Sequence, residues 1–409
     1  MAEAAVSRPN ERLAILGGDK IRQEPMPARL ALGPAELEMI QQAIAYYHER
    51  KIDPGYQGAF EKLYTDAFAE FMGGGYADAV ATGTAALYVA LAALDLPKGS
   101  EVIVSPITDP GTLSAIILNG YTPRLADAKP DNYNMGVAEF TARIGPNVSG
   151  LVLVHSIGQA AQDVAEIVAT AKKHGIKVLE DCSQSHGARV MGRMVGTFGD
   201  IAAFSTMYRK AHMTGPSGGL LYTRNLDLFR MGLAHADRGK PRWRDDFDDR
   251  DPTGYLFPAL NHNADEISCA IGVASLGRLK DTIIRRLSFI TDFVELLSEQ
   301  SSVCRPYAYS PGDSPFVFPV IVDIDQITCT KREFAEAVRA EGIDLSPHYN
   351  YLAYNWAWLK PHLSDDFVPA VARDFLDRSF NLYLNENYGQ REASDAVAAI
   401  VKVERHFRK

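Results

Sequence analysis

Val178-Leu-Glu-Asp-Cys-Ser-Gln-Ser-His-Gly187 is the stretch on which the fold turns. Its apolar start follows the stop signal His174–Gly175 and predicts a buried strand over Ile176–Glu180. That strand delivers Asp181 at its C-terminal end, the edge at which open α/β sheets bind their ligands. Working outward, short β-rich runs alternate with helical ones. Upstream, Ala81–Thr84 leads into the apolar helix AALYVALAALDL, and Pro97–Gly99 turns it into a strand at Glu101–Val104. A helix over 111–119, a strand ending near Asp127, a strand over Gly150–His155 and a helix over 163–173 follow. Downstream, strands at 201–205 and 218–223 flank a Gly-rich turn. Helical spacing also marks 35–50 and 59–72. The alternation implies an α/β protein with a largely parallel sheet covered on both faces.

The periodicity then changes. Residues 265–299 read as one long helix, followed by a strand near 315–323, a helix near 331–341 and a closing helix near 390–406. The expected division is an irregular arm over 1–30, a large domain over 31–264 and a smaller C-terminal α+β domain over 265–409. The 409 residues, 46% hydrophobic and 23% charged, are ordinary for a soluble globular protein. A net charge of −9 argues against general nucleic-acid binding, though not against a local basic pocket for a small anion. No apolar run is long enough to cross a membrane, and the N-terminus lacks the layout of a secretion signal. A cytoplasmic protein is expected. Cys182, Cys269, Cys304 and Cys329 lack C-x-x-C spacing, so they read as reduced thiols, with no support for a metal site.

Three short constellations carry the chemistry. Asp181 could pair with the pyridinium nitrogen of pyridoxal phosphate and keep it protonated, or could simply cap the next helix. The strand Ile201–Ser205 leads to Thr206-Met-Tyr-Arg-Lys210 and then a Gly-rich turn. A lysine there suits a Schiff base, its deprotonation favoured by burial and by the adjacent cation Arg209; the other reading is a solvated loop lysine. At Ala81-Thr-Gly-Thr-Ala-Ala86, the amides of Gly83, Thr84 and Ala85 and the Thr84 hydroxyl could form a phosphate cup at a helix start. A plain Thr N-cap would explain the same residues.

Taken in order, these elements resemble the DegT/DnrJ/EryC1/StrS sugar aminotransferase family of fold type I pyridoxal-phosphate enzymes, from about Leu13 to the last helix and most strongly over 79–272. The resemblance implies a fold type I architecture whose large domain, a mostly parallel sheet sandwiched by helices, binds pyridoxal phosphate. It implies that Lys210 holds the cofactor as an internal aldimine and moves the substrate proton. Asp181 would bind the pyridine nitrogen, Gln184 the phenolic oxygen, and Ser205 would join Gly83, Thr84 and Ala85 at the phosphate. Asn261, in Leu260-Asn-His-Asn-Ala-Asp-Glu-Ile267, would reach the phosphate of a neighbouring subunit, which implies a homodimer with shared active sites. His186, in Q-S-H-G, would lie near the acceptor or serve as a core histidine. Arg238 opens a basic run, Arg238–Arg244, that could hold a substrate anion, or be neutralised by the acidic segment DDFDDRD beside it.

The implied reaction moves an amino group from glutamate or glutamine to a keto sugar, nucleotide-linked or free, or to a keto-cyclitol. A sugar dehydratase of the same family would carry histidine in place of Lys210, and a non-catalytic sensor would show a degraded cofactor site. Three departures from the family pattern stand out. Asp109 occupies the place of the aromatic ring that usually stacks on the cofactor, the turn Met213–Gly219 lacks the usual glutamate, and Asn263 replaces a common arginine.

Overall fold

The structure, a computed structural model, describes residues 12–409; residues 1–11 of the expected arm lie outside the described residues. Two helices, α1 (Pro34–Arg50) and α2 (Ala59–Phe71), precede strand β1 (Tyr76–Val80) and helix α3 (Gly83–Ala93). The alternation continues through β2 (Glu101–Val104), α4 (Pro110–Leu118), β3 (Thr122–Leu125), α5 (Val137–Thr141), β4 (Val148–Val154), α6 (Val164–Lys173) and β5 (Lys177–Asp181). A hairpin of β6 (Arg189–Val190) and β7 (Arg193–Met194), then β8 (Ile201–Ser205), β9 (Gly219–Thr223) and α7 (Leu226–Ala236), complete this half.

Seven of these strands form one sheet in the order β1-β9-β8-β5-β4-β2-β3. From β8 to β3 all neighbours are parallel, whereas β9 runs antiparallel to both β1 and β8. Successive side chains along a strand point to opposite faces, so each face gathers every second residue. Val102, Val104, Val152, Val154 and Leu179 pack into one core with α3 and α4, while Ile103, Leu151, Leu153 and Val178 face a second core with α2 and α6. Both faces are therefore dry, which is why these strands read as continuous apolar runs. Helix α3 is apolar nearly all round because its neighbours include β8, β9, α4 and α7.

The single helix expected over 265–299 is two helices, α8 (Glu266–Gly277) and α9 (Leu279–Gln300). Arg278 lies between them, its guanidinium bound by Glu36 and by the Ala31 carbonyl. The remaining elements are β10 (Cys304–Pro306), β11 (Val317–Val322), α10 (Lys331–Ala340), β12 (Leu345–Ser346), α11 (Ala370–Arg378), β13 (Ser379–Tyr383) and α12 (Gln390–Phe407). Helix α8 packs on α1 and α2, but α9 packs on α12. The two halves serve different cores, and the chain bends where it passes from one to the other. The core beneath α9 and α12 is a third one and covers a four-stranded antiparallel sheet, β10-β11-β13-β12. Its segment after β12 returns to the large sheet: Ile107 bridges Leu352, and the Thr108 amide donates to the Tyr351 carbonyl at 3.1 Å.

Candidate active site

The parallel strands end at the mouth of a cavity of about 950 Å³ that lies between the two sheets. Lys210 and Gln184 line it, with Asp109 from the start of α4, Phe316 from beside β11, and Tyr349 and Tyr351 from the returning segment. The tyrosine rings stack at 4.7 Å between centroids.

Lys210 is held on a rigid turn. The Thr206 amide donates to Gly218, the Thr214 amide to Thr206, and the Thr206 and Thr214 hydroxyls meet at 2.7 Å. Gly218 has φ +146°, and a Cβ there would lie 1.9 Å from Thr214 Oγ1, so the turn closes only on glycine. The Lys210 amine is buried, 4.5 Å from the centre of the Phe316 ring. Burial lowers its pKa to about 8, against the opposing pull of the Asp181 and Asp109 carboxylates. Arg209, expected from its place in the chain to depress Lys210, instead sits exposed at the cavity wall; desolvation is the cause.

Asp181 ends β5 behind the cavity, 3% exposed. One carboxylate oxygen accepts the Thr112 hydroxyl at 3.0 Å and the other the Ser183 amide at 3.0 Å. Gln184 Oε1 accepts the Ile157 amide at 2.6 Å, which leaves its NH₂ group as the end free to donate toward the cavity and the Tyr349 hydroxyl.

The start of α3 forms a niche beside the cavity. Thr82 is the N-cap and takes the Ala85 amide on its hydroxyl at 2.8 Å, so the expected role of Ala85 as a phosphate donor is met by a cap within the chain instead. The Gly83 and Thr84 amides precede the helical ladder and keep the positive helix end open. A Cβ on Gly83 would lie 2.4 Å from Ser205 Cβ and 2.8 Å from Ser205 Oγ, so glycine lets Ser205 close the niche. One on Gly111 would lie 2.5 Å from Thr84 Oγ1 and 3.1 Å from Asp109 Oδ1, which places that hydroxyl between niche and cavity.

Other expected residues stand apart. His186 is buried below the cavity, its ring 5.6 Å from Phe204 and 5.8 Å from His212, and burial holds it neutral. Asn261 is exposed and donates to the Tyr56 hydroxyl. Its segment runs along the edge of β1, where Asn263 bridges Val80 and the Ala81 amide donates to His262, immediately before the niche. Arg238 follows the buried Asp237 and pairs with it at 2.8 Å; Arg242 and Lys240 pair with Asp237 too, and Lys240 reaches Asp249 at 2.6 Å. Three of the four cations of the run are thus paired, all with Asp237 and two of them also with Asp249 of the acidic segment.

Asp109 is not buried. It is exposed on the cavity wall and caps α4, accepting the Gly111 amide at 2.9 Å. Phe316, Tyr349 and Tyr351 supply the aromatic wall, and no sequence signal marked them, because they come from beside β11 and from the segment after β12, elements of a separate sheet. Thr112 was legible in principle, one helical turn beyond Asp109. His155, Glu180 and Cys182 converge under β5, but the Glu180 carboxylate already takes His155 and the amides of Gly196, Phe198 and Gly199, while His155 Nδ1 accepts the Ala161 amide. The lone pairs of His155 and Glu180 are thus occupied by the protein.

A phosphorylated aromatic aldehyde fits these groups: a buried amine free of ion pairs among the described residues, a helix end flanked by hydroxyls, and a buried carboxylate at the sheet edge. A mostly parallel α/β sheet with this arrangement defines a fold type I enzyme whose cofactor is pyridoxal phosphate. The model of the DegT/DnrJ/EryC1/StrS aminotransferase family matches residues 40–401, and the chain belongs to that family of PLP-dependent aminotransferases. It is 30% identical over 270 residues to a putative L-glutamine:3-amino-2,3-dideoxy-scyllo-inosose aminotransferase of Micromonospora echinospora, covering 66% of this chain and 62% of that one. It is 31% identical over 258 residues to a GDP-perosamine synthase of Escherichia coli O157:H7, covering 61% of this chain and 68% of the relative. Among solved structures, an aminotransferase from Psychrobacter cryohalolentis superposes with a TM-score of 0.84 at 25% identity, over 93% of this chain and 99% of its own.

Proposed function

We propose that this chain moves an amino group from glutamate or glutamine to the carbonyl of a keto sugar or keto-cyclitol, with pyridoxal phosphate attached at Lys210. The observation that carries the reading is the Lys210 amine, buried and without an ion pair among the described residues, facing the same cavity as Gln184 with Asp181 behind it. When bound, pyridoxal phosphate supplies an aldehyde carbon and a ring that withdraws the electrons left as the donor's Cα–H bond breaks. The protein's part is positional. Asp181, fixed by Thr112 and Ser183, presents a carboxylate to the ring nitrogen. Gln184, its carbonyl oxygen tied to Ile157, offers its NH₂ group to the phenolic oxygen. Gly83, Thr84 and Ser205 take the phosphate at the positive end of α3. The Lys210 Nζ then takes a proton from the donor carbon, in a pocket whose burial lowers the pKa of that amine to about 8 and so enlarges its unprotonated share near neutral pH.

The acceptor class rests on the relatives, which include one enzyme named for an aminated inosose and another for a GDP-linked aminosugar. A cavity of about 950 Å³ has room for a ring polyol, and its polar rim and aromatic wall suit hydroxyls and ring faces. We place Asn261 at the phosphate of a second copy, because it is exposed next to the start of α3 and outside its own cavity. The test is direct. Borohydride treatment of the holoprotein should fix a pyridoxyl mass on Lys210, and glutamate or glutamine should convert the bound cofactor to pyridoxamine phosphate. No mass on Lys210 rejects the site; no conversion by either amino acid rejects the donors.

A further inference from the structure

One carboxylate joins the two walls between which the Lys210 amine lies. Glu386 sits in the loop from β13 to α12, and each of its oxygens takes a different arginine. Oε1 accepts Arg29 Nε at 3.0 Å, and Oε2 accepts a terminal nitrogen of Arg286 at 2.9 Å. Both arginines carry the connection onward. The terminal nitrogens of Arg29 donate to the carbonyls of Tyr208 and Ala211 at 2.8 and 3.2 Å, one on each side of Lys210. The other terminal nitrogen of Arg286 donates at 2.9 Å to the carbonyl of Pro315, the residue before Phe316. The Phe316 ring closes the circuit, its centre 4.5 Å from Lys210 Nζ.

The members of this network lie inside the protein. Arg286, on α9, is 1% exposed, and Glu386 has only 13% of its side chain exposed. Against burial, the guanidinia of Arg286 and Arg29 hold the Glu386 carboxyl below its usual range, so it is an anion at neutral pH. A buried cation keeps its place while it is paired, because an unpaired one is costly. The Phe316 amide donates to the Ile157 carbonyl at 2.9 Å, so the strand end is held from the large sheet as well. The charges that act on the Lys210 amine are Asp181 and Asp109; Glu386 is not among them, and burial keeps His186 below the cavity neutral. What Glu386 does to that amine is therefore a matter of position: it decides how closely the ring covers it.

We propose that Glu386 is a positioning residue that ties the Lys210 turn to Phe316 through Arg29 and Arg286, and so keeps the ring over the amine and water away from it. The proposal rests on the function given above only in taking Lys210 as the reactive amine.

Trace acetylation of the full-length, cofactor-free chain with acetic anhydride over a range of pH tests this. Mass on the peptide that carries Lys210 gives the midpoint of that amine whether or not pyridoxal phosphate is its partner. In Glu386→Gln an NH₂ group replaces one oxygen, so one guanidinium meets a donor and the circuit opens. The midpoint should rise above that of the parent by about half a pH unit or more, as water reaches the amine. Loss of the negative charge alone would lower it, so a fall or an unmoved midpoint overturns the proposal. Phe316→Ala should raise the midpoint too, and adding Glu386→Gln to it should raise it little further, because both act through the ring. Fully additive shifts overturn the route through Phe316. Should Glu386→Gln fail to fold, Glu386→Gln with Arg286→Met removes the buried cation that lost its partner and carries the same prediction. Shifts as expected in a protein that shows no pyridoxyl mass on Lys210 would reject the cofactor site and leave the clamp standing.

Discussion

At the scale of the residue, the decisive quantity is the state of one amine. Lys210 keeps a pKa of about 8 because burial opposes its charge, while Asp181 and Asp109 favour it. The unprotonated fraction falls about tenfold for each pH unit below that value. Capture of pyridoxal phosphate by the apoprotein, followed by absorbance, should therefore accelerate with pH up to about 8 and then level off. Asp109→Asn removes a carboxylate that holds the proton on Lys210, so the levelling should begin at lower pH, by up to roughly one unit. An unmoved profile would show that the cap of α4 is electrically separate from the amine. This coupling was not visible in the chain: Asp109 and Lys210 are a hundred residues apart, and only the return of parallel strands to one edge brings them together. Arg209 shows the converse, since adjacency in sequence pointed to an effect on Lys210 that the direction of its side chain does not produce.

At the scale of the element, the start of α3 makes a sharp test. Gly83→Ala places a methyl where Ser205 Cβ stands, so either the strand or the helix must shift. Affinity for pyridoxal phosphate should drop by at least about tenfold, since the donors of the niche separate. Thermal unfolding of the apoprotein should change far less; an equal loss in both would mean that the niche is only a packing contact. A second test concerns β1 and α2, which carry Asp78 and Glu61 into the interior. Burial, reinforced by Asp237, raises Asp78 to about 7; burial and the charge of Asp78 raise Glu61 as well. These acids are protonated more readily folded than unfolded, where a carboxyl titrates near pH 4. Their contribution to stability is complete below that pH and is lost as the pH rises through the neutral range. The melting temperature of Asp78→Asn should thus decline less steeply between pH 5 and 8 than that of the parent. Parallel declines would place the buried proton elsewhere. Helix and strand positions were largely legible here, because dry strands and amphipathic helices leave clear periods. The break at Arg278 was not, because both halves have helical spacing and only their separate cores bend the chain.

At the scale of the whole molecule, the proposed sharing of sites between two copies can be measured by complementation. Lys210→Ala and an Asn261 substitution, such as Asn261→Asp, should each lower activity strongly. Their mixed dimer would contain one site with both defects and one with neither. Activity of the refolded mixture well above either parent, with light scattering at twice the chain mass, is the expected result; a mixture no better than its parents removes Asn261 from a partner's site. The sequence determined the α/β class and most of the order of strands and helices along the chain, and it supplied the residues proposed to hold a phosphorylated aldehyde, because each depends on local period, turn chemistry or residue type. Only the tertiary structure decided which groups meet. The aromatic wall that Phe316, Tyr349 and Tyr351 build over the ends of the parallel strands and the bond from Thr112 to Asp181 arise from contacts between elements distant in the chain, which no local pattern encodes, whereas the capture of the Ala85 amide by Thr82 is a local cap that the sequence left as one of two readings.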